Sequence, residues 1–473
     1  MEWRVSQVLE ATGGRLVQGG EGTVFGGFST DSRTLEPGAV FVALPGERHD
    51  GHAYVGDVLK RGAAGVVVQA DRFAIPDDLP PEIPVIQVTD TLRALGDLAG
   101  THRRRLHVPV VGITGSNGKT STKEMVFSIL SQDKKVLKNK GNFNNLIGVP
   151  LTLLSLQPDD EVAVVEMGIN IPGEMSRLVE ITQPDVGLIT NIHPAHLEGL
   201  GSEEQILAEK GMLWKGMAAG GLAVVNQDDP RLPGFARCLG IRAVHYSMDD
   251  TSVEVFKVGP VEMEGGHSVF GLQVGGEMIR VRLCVLGLHQ VNNALAAAAV
   301  AFGMGVPSAQ IQAGLASHRP VHQRMEMHVL PGGRVLVDDT YNANPRSVVA
   351  AVRTICAASK GKPVAVVLGD MKELGPETRS LHLEVGKEIG SLGVARLFTF
   401  GELSREIEKG ARESGLSERA CFHGETHEDI VNRLQGTIVP GEWVLVKGSR
   451  SMNMERVVEG LMDAEGRHHG DGG

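Results

Sequence analysis

Cysteine is scarce. The 473 residues include four, Cys238, Cys284, Cys356 and Cys421, spread far apart and without a Cys-x-x-Cys pair. This excludes a disulfide framework and a thiolate zinc site, and a reducing cytoplasm is the expected setting. Long apolar runs are missing too. The most apolar stretch, residues 294–306, is too short for a bilayer, so no membrane span is expected. The opening Met1-Glu2-Trp3-Arg4 leads into mixed polar sequence that does not read as a signal peptide. Basic residues are not in excess: 46 Lys and Arg against 57 Asp and Glu leave a net charge of -11. No nucleic acid partner held by bulk electrostatics is expected. Aromatic residues make up only 4% of the chain, and no internal repeat is visible.

What is present describes a globular protein of several domains. With 42% hydrophobic and 22% charged residues the chain can build real cores. At about 150 residues per domain, its length predicts two or three of them. The 61 glycines supply tight turns and close approaches between elements. Apolar runs at 108–114, 162–167, 186–192, 222–226, 335–338, 364–369, 397–401 and 443–447 end in glycine or polar residues and lead into helix-like sequence. Alternation of this kind predicts βαβ units around parallel sheets, with functional residues just past the strands' carboxyl ends. Between 252 and 286 the pattern changes to alternating, glycine-punctuated sequence, which predicts antiparallel hairpins decorating the central domain. The Gly- and His-rich end, 466–473, is expected to fray.

The sharpest signal is Val108-Pro-Val-Val-Gly-Ile-Thr-Gly-Ser-Asn-Gly-Lys-Thr-Ser-Thr122. A β-rich run enters a glycine turn, and Gly118-Lys119-Thr120 opens a helix. Backbone N–H groups in such a turn face inward around phosphate oxygens, and the helix N-terminus adds partial positive charge. Lys119 would neutralise the β- and γ-phosphates, and the Thr120 hydroxyl would face Mg²⁺. The generic pattern GxxxxGK[ST] is not met, because Ile113 stands where its first glycine belongs. The loop alone does not separate kinases, ATPases, GTPases and ligases.

The variant Thr114-Gly-Ser-Asn-Gly-Lys-Thr120 resembles the ATP loop of the Mur ligases. The chain continues with Asn139-Lys-Gly-Asn-Phe-Asn-Asn145, Glu166-Met-Gly168 and Thr190-Asn-Ile-His-Pro-Ala-His196. Further on stand Leu286-Gly-Leu-His-Gln-Val-Asn-Asn293, Asp338-Asp-Thr-Tyr-Asn-Ala-Asn-Pro345, Leu368-Gly-Asp-Met-Lys-Glu-Leu-Gly375 and Val446-Lys-Gly-Ser-Arg450. These follow in that family's order over nearly the whole chain. The resemblance implies an α/β protein with the three-domain Mur ligase architecture. Residues 1–106 would form an α/β UDP-sugar-binding domain, 107–317 a central phosphate-loop-type domain with a mostly parallel sheet, and 318–473 a Rossmann-like α/β domain. The implied activity is ATP-dependent addition of D-alanyl-D-alanine to UDP-N-acetylmuramoyl-tripeptide through an acyl phosphate, a cytoplasmic step of peptidoglycan precursor synthesis. A monomer is the expected state.

The same resemblance implies roles for single residues. Gly115, Ser116, Asn117, Gly118, Lys119, Thr120 and Ser121 would hold the ATP phosphates, Asn293 the adenine, Arg324 the nucleotide from the third domain and Asp339 the ribose. Thr120, Glu166 and His196 would ligate Mg²⁺, two ions in all. Lys210 aligns with a lysine the family carbamylates, converting a cation to an anionic ligand, and Lys119, Lys210 and His196 would be catalytic. Ser32 and Arg33 would bind the UDP diphosphate, while Asn144, Asn145, Lys447, Ser449 and Arg450 would contact substrate. The sequence departs from the family's pattern at Met212, Gln290 and Gln323. His193 reads as bland and Asp338 as structural, and Asn342 and Asn344 as holders of the following turn. A sibling ligase adding a single amino acid, a folylpolyglutamate synthase, a phosphate-loop ATPase without an amine acceptor and a non-catalytic nucleotide-binding module stand as alternatives.

Overall fold

The computed structural model describes residues 2–46, 49–193 and 201–467. Three sheets divide these residues, with a two-stranded ribbon, Trp3–Arg4 and Val24–Phe25, at the start. The first sheet has the order Arg15–Gln18, Val85–Val88, Gly65–Gln69, Val40–Val42 and Phe28–Ser29, antiparallel only at Arg15–Gln18. The helix Thr91–Leu106 follows it, capped by the Asp90 carboxylate on the Arg93 N–H. Its face is pinned to the central domain by Arg103 on Asp185 at 2.8 Å and by Arg177 on Asp97 at 2.7 Å.

The central sheet has nine strands. Their order is Glu277–Leu283, His267–Val274, Val255–Glu264, Arg242–Ser247, Leu222–Asn226, Val186–Ile189, Val110–Thr114, Val162–Glu166 and Val136–Lys138. From Arg242–Ser247 to Val136–Lys138 all pairings are parallel. The sequence pattern placed hairpins at 252–286, and they are there. They are no separate decoration, because Val255–Glu264 pairs in parallel with Arg242–Ser247 and so extends the sheet. The Val-rich central strands are buried on both faces, as a doubly covered parallel sheet requires. On one face the helices Lys119–Leu130 and Leu288–Gly303 pack together, the alanines 294 and 296–299 of the second letting them approach closely. On the other lie Glu174–Thr182 and Glu203–Lys215.

The third sheet has the order Glu326–Leu330, Arg334–Asp339, Trp443–Lys447, Val364–Gly369, Arg396–Phe400 and Cys421–Gly424, parallel except for its first pair. Two registers place the site. In the central sheet Ile113 lies opposite Glu166 and Thr114 opposite Ile189, so these carboxyl ends emerge side by side. In the third, Asp339 lies opposite Lys447. Among the described residues no helix is long and apolar enough to cross a membrane.

Candidate active site

The glycine turn between Val110–Thr114 and Lys119–Leu130 is held from its neighbouring strand. Thr190 donates its hydroxyl to the Asn117 carbonyl at 2.6 Å, and Asn191 Nδ2 reaches the same oxygen at 3.1 Å. The Asn117 N–H donates to Asn191 Oδ1 at 3.0 Å. Two glycines are required here. Gly115 has φ +142°, and a Cβ on it would overlap the Thr190 hydroxyl; Gly118 has φ +83°, and a Cβ there would overlap Asn293 Oδ1. Asn293 thus sits against the turn, its Nδ2 donating to Gln290 at 3.1 Å.

Charge converges at the start of the helix. The Lys119 amine donates to the carbonyls of Gly115 at 2.8 Å and Ser116 at 3.3 Å. Its pKa is pushed down, mainly by burial, against the pull of Glu166 and with help from Arg324. Glu166 is 2% exposed. Its carboxylate accepts from the Thr120 hydroxyl and from Asn144 Nδ2, both at 2.8 Å. Asn139 clamps the same residue's backbone, accepting from its N–H and donating to its carbonyl. A buried carboxylate met by neutral donors fits a metal ligand, because a cation would supply the missing charge.

Lys210, on the helix Glu203–Lys215, is 1% exposed, and its amine has no hydrogen-bond partner among the described residues. Burial, and then Lys119, hold its pKa well below the usual amine range. A lowered pKa makes a buried amine more available as a nucleophile, which fits carbamylation. Ser121 is buried in the same first turn. His196 lies outside the described residues.

The third domain closes the site. Arg324 Nη2 donates to the Thr120 hydroxyl at 3.1 Å, and its guanidinium lies 4.0 Å from the Tyr341 ring centre. Asp339 is ion-paired with Lys447 and accepts from the Met325 N–H at 3.2 Å. Lys447 also donates to the Asn342 carbonyl at 2.8 Å. His289 borders a cavity of about 630 Å³ between Leu288, Pro345 and Val349. Burial holds its pKa down to about 4.

Other expected substrate residues carry bonds of their own. Asn145 Oδ1 accepts from Ile147 and Gly148 at the start of the helix Gly148–Leu154. Ser449 accepts from the Lys372 N–H at 2.8 Å, and Arg450 bonds Glu455 at 2.9 Å and Gln323 at 3.3 Å. In the first domain Arg33 is exposed and paired with Asp31, whose pKa it holds down to about 2. Ser32 is part-buried in the same turn.

Sequence reasoning passed over several contributors. Asp338 accepts from the Thr340 N–H and hydroxyl. His193, read as bland, meets Arg346 of the third domain at 3.0 Å. Asn344 reaches Asn117 at 2.6 Å. Asn139 and Asn191 were visible as asparagines in motif segments, but no local pattern assigns their partners.

The chain is also similar to known proteins. The chain matches the Mur ligase family catalytic domain over residues 25–103, the Mur ligase middle domain over 113–301 and the glutamate ligase domain of Mur ligases over 323–450. It is 37% identical to UDP-N-acetylmuramoyl-tripeptide--D-alanyl-D-alanine ligase of Escherichia coli (strain K12), over 97% of this chain and 98% of that protein. To the enzyme of the same name from Bacillus subtilis (strain 168) it is 35% identical, over 94% of both. The crystal structure of MurF from Acinetobacter baumannii superposes with a TM-score of 0.88 at 32% identity, covering 98% of this chain and 99% of that one. MurF ligase from Thermotoga maritima in complex with ADP superposes with a TM-score of 0.82 at 27% identity, covering 93% and 98%.

Proposed function

The chain belongs to the Mur ligase family, and on that premise we propose that it joins D-alanyl-D-alanine to UDP-N-acetylmuramoyl-tripeptide at the expense of ATP. The observation that carries the reading is the line Arg324–Thr120–Glu166, which ties the third domain to the phosphate loop and to a buried carboxylate. The acceptor follows from relatives of that name that match nearly end to end.

The chemistry needs two transfers. A carboxylate oxygen of the tripeptide attacks the γ-phosphorus, ADP leaves, and an acyl phosphate forms. The dipeptide amine then attacks the acyl carbon, and inorganic phosphate departs with the former carboxylate oxygen. Both steps gather negative charge in one place. Residues 115–121 wrap the phosphates, with Lys119 leaving its own loop carbonyls to neutralise them. Asn293 and Arg324 close on the nucleotide from opposite domains, and Asp339, oriented by Lys447, accepts from the ribose hydroxyls. Magnesium, when bound, offsets phosphate charge; Thr120, Glu166 and His196 are the side chains that would hold it, and two ions are proposed. Lys210, once carbamylated, would present an anionic oxygen in place of its unpartnered amine.

Ser32 and Arg33 are proposed to take the UDP diphosphate, Arg33 exchanging Asp31 for the ligand. Asn144, Asn145, Lys447, Ser449 and Arg450 are proposed to meet the peptide ends, Asn145 and Ser449 by shaping their loops. The enzyme would work as a cytoplasmic monomer. A phosphate-release assay with UDP-N-acetylmuramoyl-tripeptide, ATP and Mg²⁺ tests the reading. Release is expected with D-alanyl-D-alanine, in step with amide formation. Release with single amino acids instead, or with no acceptor, contradicts it.

A further inference from the structure

The helix Pro345–Ala358 starts against the phosphate loop, and its cap does two jobs. Asn344 Oδ1 accepts from the Ser347 N–H at 2.9 Å, and Ser347 Oγ accepts from the Asn344 N–H at 3.0 Å. That fixes the amide's orientation, since the cap needs the oxygen. The nitrogen must then face the other way, where Nδ2 donates to Asn117 Oδ1 at 2.6 Å, across 227 residues. The Asn117 backbone is itself held by Thr190 and Asn191.

One residue past Pro345, Arg346 Nη1 meets His193 Nδ1 at 3.0 Å. His193 is bound to the same loop, its N–H donating to Ser116 Oγ at 2.9 Å and its carbonyl accepting from that hydroxyl at 2.8 Å. Burial, and next Arg346, hold its pKa down to about 4, so the neutral ring can accept from the guanidinium.

We propose that Asn344 is a positioning residue that latches the third domain onto the phosphate loop, with Arg346 on His193 as a second point of attachment. The inference rests on the ligase reading. The latch favours the closed arrangement, in which Arg324 reaches Thr120 and water is kept from the acyl phosphate. Weakening it lets water attack the acyl carbon. That expels phosphate and regenerates the carboxylate, so ATP is spent without an amide.

Asn344→Ser separates latch from cap, because serine caps helices as well as asparagine but is too short to reach Asn117. Asn344→Thr, another cap former, serves as the second variant. The readouts are melting temperature, kcat, KM for ATP, phosphate released per amide formed, and small-angle scattering with a non-hydrolysable ATP analogue. Both variants are expected to melt like wild type. Their kcat should fall about five- to tenfold, the worth of one hydrogen bond. Phosphate per amide should rise above the wild-type value, and the analogue complex should be more open. Arg346→Ala should move the same readouts in the same direction. Scattering identical to wild type overturns the latch, as does a kcat loss that tracks a lower melting temperature with phosphate per amide unchanged. Scattering does not depend on the acceptor, so it judges the latch even if wild type forms no amide, a result that would defeat the ligase reading alone.

Discussion

Arg324 and Thr120 are 204 residues apart and belong to different domains, yet the guanidinium donates to the hydroxyl at 3.1 Å. Thr120 donates in turn to Glu166 at 2.8 Å. A helix and a strand of the central domain and a segment of the third domain therefore meet on one hydroxyl group. The Tyr341 ring under Arg324 keeps the guanidinium flat and aimed.

Arg324→Lys tests that aim. Lysine keeps the charge but loses the planar stack and the fork of donors. We expect the KM for ATP to rise about tenfold, equivalent to about 1.4 kcal/mol, with the melting temperature unchanged. Tyr341→Phe should have little effect, and Tyr341→Leu should reproduce part of the lysine defect. Steady-state kinetics on the three variants checks this.

Lys119→Ala should cut turnover at least about a hundredfold, because a charge donor to the reacting phosphates is lost. The fold should persist, since among the described residues Lys119 bonds only carbonyls of its own loop. Circular dichroism beside the phosphate assay separates the two outcomes.

Lys210 supplies a chemical test. Its buried amine has a depressed pKa and no partner among the described residues, and on the proposed reading it takes up carbon dioxide. Lys210→Ala should lower kcat by about two orders of magnitude, and formate or acetate should restore part of it by standing in for the carbamate. Wild-type activity in Lys210→Ala would remove the carbamate from the mechanism.

Gly118→Ala should weaken ATP binding and cost about 1–2 kcal/mol of stability, because φ is +83° and the new methyl meets Asn293. Ligand-binding and thermal denaturation curves report the two effects separately.

Stability should also depend on acid. His193, His289 and His318 each have a folded pKa near 4, below their ordinary 6.5, with burial as the first cause. Below pH 6.5 the unfolded chain binds protons that the folded one refuses, so stability falls as pH drops from 6.5 towards 4. Above 6.5 this contribution is fully present. Melting temperature against pH should show the decline, and His318→Gln, away from the phosphate loop, should flatten it.

Much of this architecture was legible because the central strands are buried on both faces. The runs at 222–226, 364–369 and 443–447 coincide with Leu222–Asn226, Val364–Gly369 and Trp443–Lys447. Val136–Lys138 left no such run, being a three-residue, half-buried edge strand. The glycine turn could be read from Gly115 to Thr120, because its conformational demand is local. The contacts that close the site could not. Asn344 signals a cap, and nothing in its neighbourhood of sequence points to Asn117, 227 residues away. His193 looked bland for the same reason, since Arg346 reaches it only once two domains are docked.

The most direct measurement is a crystal structure with a non-hydrolysable ATP analogue. The account predicts its triphosphate on the backbone N–H groups of residues 115–120, with Lys119 turned from its own carbonyls onto the phosphates and Arg324 beside the terminal one. An analogue bound elsewhere, with Lys119 still on Gly115 and Ser116, would contradict it.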